Sequence, residues 1–129
     1  MTDRYLFRGK RIDGGEWVIG HLAMWECGRS EIWGHEKNNE LYRFIIDPAT
    51  IGQCTGLYDK NDSLIFEGDI ILLSGKREVE GIVIWKAGQA GFLIAVAGKP
   101  IYAVVMARMS GEIVGNIHDN PELLPEGAK

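Results

Sequence analysis

The chain has 129 residues, 18 acidic and 14 basic, for a net charge of −4. That length can bury one core, or one core with a smaller lobe, without staples. The acidic balance disfavours nonspecific attraction to nucleic acid or anionic membrane, and no run approaches the ~20 apolar residues that cross a bilayer.

Seventeen glycines and many short β-branched or aromatic runs, with few helix-length amphipathic segments, indicate a β-rich fold. The opening residues, Met1-Thr2-Asp3-Arg4-Tyr5, lack the apolar core of a signal peptide, so a cytoplasmic location is expected. Tyr5–Arg11 and Trp17–Trp25 alternate with a period near two and read as strands joined by Asp13-Gly14-Gly15-Glu16, whose glycines supply positive φ. Glu31–His35 and Tyr42–Ile46 form a second pair around the polar loop Glu36-Lys37-Asn38-Asn39. Pro48 cannot donate to a ladder and begins a connection, which divides the chain into two candidate sub-lobes, 1–48 and 49–129.

Beyond Pro48, Ile51–Leu57 and Ser63–Phe66 flank the turn Asp59-Lys60-Asn61-Asp62. Ile70–Leu73 is a continuous apolar run, as a strand buried on both faces would show. Gly75-Lys76-Arg77-Glu78 turns the chain into Glu80–Trp85; Phe92–Ala97, Ile101–Val105 and Glu112–Ile117 complete the strands. Pro121 opens a single helical turn. The fold class is therefore mainly β: a small antiparallel barrel or sandwich, with SH3-like elements among the alternatives, preceded by an N-terminal β-hairpin lobe. One core is expected from Ile70, Ile71, Leu72, Ile82, Ile84, Trp85, Phe92 and Ile94.

Candidate chemistry is sparse. Cys27 and Cys54 form no framework and read as free thiols, Cys54 part-buried in a strand. A metal site from Cys27, His35 and Cys54 lacks ligand spacing, and no histidine is marked as a base for a thiol. Asp59, Asp62, Glu67 and Asp69 fit a turn that caps its own backbone better than a cation loop. Asn116, Asp119 and Asn120 before Pro121 fit a cap and turn better than a catalytic cluster. No cofactor, metal or enzymatic activity is expected.

The segments Phe7–Arg11, Gly15–Gly20, Ile51–Asn61, Ile65–Ile70 and Glu112–Leu124 together resemble the YopX family, small proteins of bacteriophages and prophages without an assigned activity. The resemblance runs from about Phe7 to Leu124, with Trp25–Phe44 matching little. It implies a β-rich fold and a phage or prophage origin, and it implies no chemistry. Asp62 stands where the family commonly has Gly, which predicts a different turn type, and Cys54 stands where an aromatic is usual.

The candidate interaction residues are Arg8, Lys10, Arg11, Trp25, Arg29 and Trp33. Arg4, Arg8, Lys10 and Arg11 make a basic strip that reads either as a solvated strand edge or as a phosphate contact. Trp17 and Trp85 are read as core; Trp25 and Trp33 flank the polar loop Glu26–Ser30, where an indole beside Arg29 has room to stack on a base. The expected function is a phage accessory protein that self-associates as a homo-oligomer or binds a host or phage protein. The alternative is a nucleic-acid-binding β-barrel using the basic strip and Trp25 or Trp33. No membrane partner is expected.

Overall fold

A computed structural model describes residues 3–35, 40–75, 77–97 and 99–124. The fold is mainly β, with eleven strands among the described residues: β1 (Phe7–Lys10), β2 (Trp17–Met24), β3 (Ser30–His35), β4 (Leu41–Ile45), β5 (Gly52–Tyr58), β6 (Leu64–Phe66), β7 (Asp69–Leu73), β8 (Val79–Lys86), β9 (Gly91–Val96), β10 (Lys99–Ala103) and β11 (Gly111–Asn116). A short helix, α1 (Ala107–Ser110), follows a 3-10 turn at Val104–Met106. Two compact units divide the chain, Met1–Cys54 and Thr55–Lys129. The strands form open antiparallel sheets, not closed into a barrel. The polar loop expected at 36–39 lies outside the described residues, as does Lys76 of the expected turn at 75–78.

In the first unit the strand order is β4-β3-β2-β1, followed by the first residues of β5, Gly52 opposite Arg8. Gly14 (φ +91) and Gly15 (φ +77) turn the chain between β1 and β2, in the region that glycine enters at no steric cost. The sheet curls so that Arg11 bridges Ile46, the Ile12 amide donates to the Ile45 carbonyl at 3.0 Å, and the Asp47 amide to the Lys10 carbonyl at 2.8 Å. Glycines on β1 and β2 leave room for this close approach. A methyl on Gly20 would run into the Trp33 carbonyl oxygen, and one on Gly9 into Ile46, which is fully buried.

In the second unit the order is β10-β9-β8-β7-β11. Ile71, Leu73, Val83 and Ile94 project from one face of this sheet and pack with Ile65 of β6, with Val104 of the 3-10 turn and with Ala107 of α1. The shared core expected from the sequence is therefore corrected in part. Ile71 and Ile94 belong to it and Phe92 packs against it, but Ile82 and Ile84 alternate with buried Val83 and are only half-buried. Ile70 is buried outside that cluster, Leu72 is half-buried, and Trp85 is 48 % exposed, set edge-on to Phe92 at 5.1 Å between ring centroids. Pleating accounts for Leu72, Ile82 and Ile84, because a strand apolar on both parities still sends successive side chains to opposite faces; Trp85 shares the parity of Val83 but lies near the end of β8, where it is exposed.

One further expectation changes. The strand expected at Ile101–Val105 ends at Ala103; Val104 and Ala107, three residues apart, are instead set into the core by the helical turn. Asp62 itself takes φ +63, in the left-handed region, which Asp and Asn enter more readily than other non-glycine residues.

Candidate interaction surface

Strand register builds the surface of the first unit. His21 of β2, Trp33 of β3 and Arg43 of β4 lie side by side, and the next row holds Ala23, Glu31 and Ile45. Side chains two apart share a face, so Glu31, Trp33, Arg43 and Ile45 emerge together. Trp25 and Arg29 join them through the tight turn closing β2 onto β3. There the Trp25 amide donates to the Arg29 carbonyl at 2.9 Å, and Gly28 takes φ +92.

Glu31 organises this group. Its side chain is only 2 % exposed, yet it is not isolated: Oε2 accepts from Arg29 Nε at 2.7 Å and Oε1 from Trp33 Nε1 at 2.9 Å. A buried carboxylate is tolerated when both oxygens are bonded in this way. The two bonds fix the Trp33 ring and the Arg29 fork. The Arg43 guanidinium then lies 5.3 Å from the Trp33 ring centroid, and that of Arg29 lies 6.0 Å from Trp25, both within cation–π range.

A recess of about 380 Å³ opens beside this network. Arg29, Glu31 and Arg43 provide its polar wall, Ile12, Phe44 and Ile45 its apolar wall, and Asp13 its rim. Arg11 donates to both carboxylate oxygens of Asp13, at 3.3 and 3.1 Å. That pairing holds the Asp13 carboxyl below the ordinary carboxylate range, so Asp13 is ionised at neutral pH.

The residues singled out in the sequence fall into three groups. Trp25, Arg29 and Trp33 gather around Glu31. Arg8 and Lys10 lie elsewhere on the sheet, 4.7 and 5.4 Å from the Trp17 ring centroid. Arg11 stands over Phe44 at 4.1 Å and pairs with Asp13 and Glu16. The basic strip is thus spread along β1 and its turn. Sequence reasoning missed Glu31 and Arg43; the signal available was the alternation Glu31-Trp33 against Arg43-Ile45 across a hairpin.

The polar clusters of the second unit are occupied by backbone. Asp59 accepts from the amides of Asn61 and Ser63 through Oδ1 and from Ile113 through Oδ2, each at 2.9 Å. Asp69 accepts from the Phe66 amide at 2.7 Å. Asn116 Oδ1 accepts from the amides of His118 and Asp119 at 3.0 and 2.9 Å, a turn. Asn120 does not cap the 3-10 turn at Pro121–Leu123 with its side chain; it reaches back to the Asn116 amide at 3.2 Å. Cys27 is exposed, whereas Cys54 is fully buried rather than part-buried. Among the described residues no helix is long and apolar enough to cross a membrane.

No curated protein matches the chain. The family model described as YopX protein matches residues 7–125, nearly the whole length. The chain belongs to the YopX family.

Proposed function

We propose that this protein is a non-catalytic accessory protein of a phage or prophage, active in the cytoplasm of its bacterial host, and that it works by self-association and protein binding through its N-terminal unit. The observation that carries this reading is the aliphatic cluster at β4. Leu41 is 57 % exposed, Ile45 41 % and Ile12 65 %, and Ile12 and Ile45 are joined through their backbones. β4 ends its sheet order, and an edge strand carrying exposed aliphatic side chains is a template for another chain. Closed symmetry is the common way to cover such an edge.

Light scattering at micromolar concentration tests the reading. The expected mass is a multiple of 14.4 kDa, falling to the monomer value when Leu41 and Ile45 are both replaced by Lys. A monomer in the parent protein overturns self-association. A second reading, contact with single-stranded nucleic acid, draws on the Arg43–Trp33 and Arg29–Trp25 stacks. Salt-dependent binding of an oligo-dT strand, lost with Arg43→Gln, supports it; no binding at low salt removes it.

A further inference from the structure

We propose that the recess beside β4 receives the carboxylate of an acidic residue in an extended partner peptide, an inference that rests on reading the N-terminal unit as a binding module. The charge inventory comes first. Both oxygens of Glu31 are bonded, to Arg29 and Trp33, and Asp13 is held by Arg11. Arg43 has no carboxylate within ion-pair distance among the described residues, and Arg29 commits only Nε. Among the described lining residues Arg43 is therefore the guanidinium without a carboxylate partner, with further N–H donors of Arg29 beside it, while Asp13 shares Arg11 with Glu16. That balance suits a single negative charge. A dianionic phosphate would face Glu31 and Asp13 at close range and lose much of what the arginines offer. A carboxylate matches the guanidinium fork without that cost.

The remaining walls say what carries the carboxylate. Ile12, Phe44 and Ile45 make the recess amphipathic, so the anion sits best on a chain with aliphatic neighbours. β4 is the terminal strand of its sheet. The Ile45 carbonyl is already taken by the Ile12 amide, so an extended peptide pairs along Leu41–Arg43 and sends alternate side chains to the face on which Arg43 stands. Backbone pairing would supply affinity, and the recess would supply the preference for Asp or Glu.

A randomised 12-residue peptide library displayed against the immobilised whole chain tests this. Enriched sequences should carry one Asp or Glu flanked by aliphatic residues. A synthetic peptide of that kind should bind at least tenfold more weakly to Arg43→Gln, and equally so when its acid is replaced by the amide. Combining the two changes should cost no more than either alone. Ile12→Asp, which adds like charge to the apolar wall, should weaken binding by a similar factor. Arg43 and Ile12 are both exposed, so unchanged thermal melts should accompany the losses. Absence of enrichment, full affinity in Arg43→Gln, tighter binding of the phosphoserine peptide, or displacement by oligo-dT each overturns the proposal. A monomer that still binds the acidic peptide leaves this inference standing and removes only self-association; an oligomer that enriches nothing does the reverse.

Discussion

Three backbone amides from two separate segments converge on the enclosed carboxylate of Asp59, and its own carbonyl accepts from Arg108 at 2.8 Å. One residue thus shapes the β5–β6 turn and ties it to β11. Replacing it by Ala strands buried donors, and hydrogen bonds to a charged acceptor are worth about 1.5–3 kcal/mol each with imperfect additivity. Asp59→Ala is expected to cost roughly 3 kcal/mol or more in urea unfolding, and Asp59→Asn, which keeps one acceptor oxygen, clearly less. A loss below ~1 kcal/mol for the Ala variant would mean that water replaces the carboxylate at no expense. Asp62 shows the opposite economy. Its left-handed conformation costs a β-carbon ~1–2 kcal/mol, while its ion pair with Arg108 joins two exposed side chains and is worth under ~1 kcal/mol. Asp62→Gly should therefore be as stable as the parent or more so. Asp62→Val, with a branched β-carbon at φ +63, should be the weakest of the three.

Strand β8 separates a residue's composition from its placement. Val83 is 1 % exposed and pairs with Ile94, while Ile84 on the other parity is half-buried. Ile94→Ala is expected to cost about 2–5 kcal/mol and Ile84→Ala markedly less; chemical denaturation of the two variants checks the order. Gly81 lies on the core face between the same strands, where a methyl would strike Ile94 and come within 2.9 Å of the Ala95 carbonyl. Gly81→Ala should cost on the order of 1–3 kcal/mol, whereas Gly88→Ala, with open space around it, should be close to neutral. These elements also show what the sequence reveals. All eleven strands were legible within a few residues, because turn residues punctuate them and β-branched runs fill them. The buried parity of β8 was not, since Ile82-Val83-Ile84 is apolar on both faces and only the partners decide between them. The turn from Val104 to Ser110 was hidden by its valines, which read locally as strand, although Val104 and Ala107 at spacing three carried the helical signal. The candidate surface was half legible. Trp25, Arg29 and Trp33 stood out as residue types, but Glu31 and Arg43 acquire their roles only from cross-strand register.

At the scale of the whole molecule, apolar burial is unequal. Among the described residues, the buried apolar side chains of the first unit are Ile32, Ile46 and Cys54, against ten in the second, among them Ile71, Val83 and Ile94. Burial stabilises by roughly 25 cal/mol per Å² of apolar surface removed from water, so the first unit has less holding its strands together. Local opening follows such differences: segments with few buried apolar contacts exchange their amides at lower free energy than core strands. Hydrogen exchange on the isolated chain should therefore show the slowest amides in β7, β8 and β9, with β3 and β4 exchanging well before them. If a second copy covers the β4 edge, mass action must make that protection depend on concentration. Dilution from tens of micromolar to well below one micromolar should then speed exchange in β4 and leave β8 unchanged, and the Leu41→Lys, Ile45→Lys variant should show the fast β4 rates at every concentration. Protection in β4 as long-lived as in β8, and indifferent to dilution, would mean that the first unit is held by its own ladder and its glycine-lined curl. The exposed aliphatic cluster would then have to be explained without a partner copy.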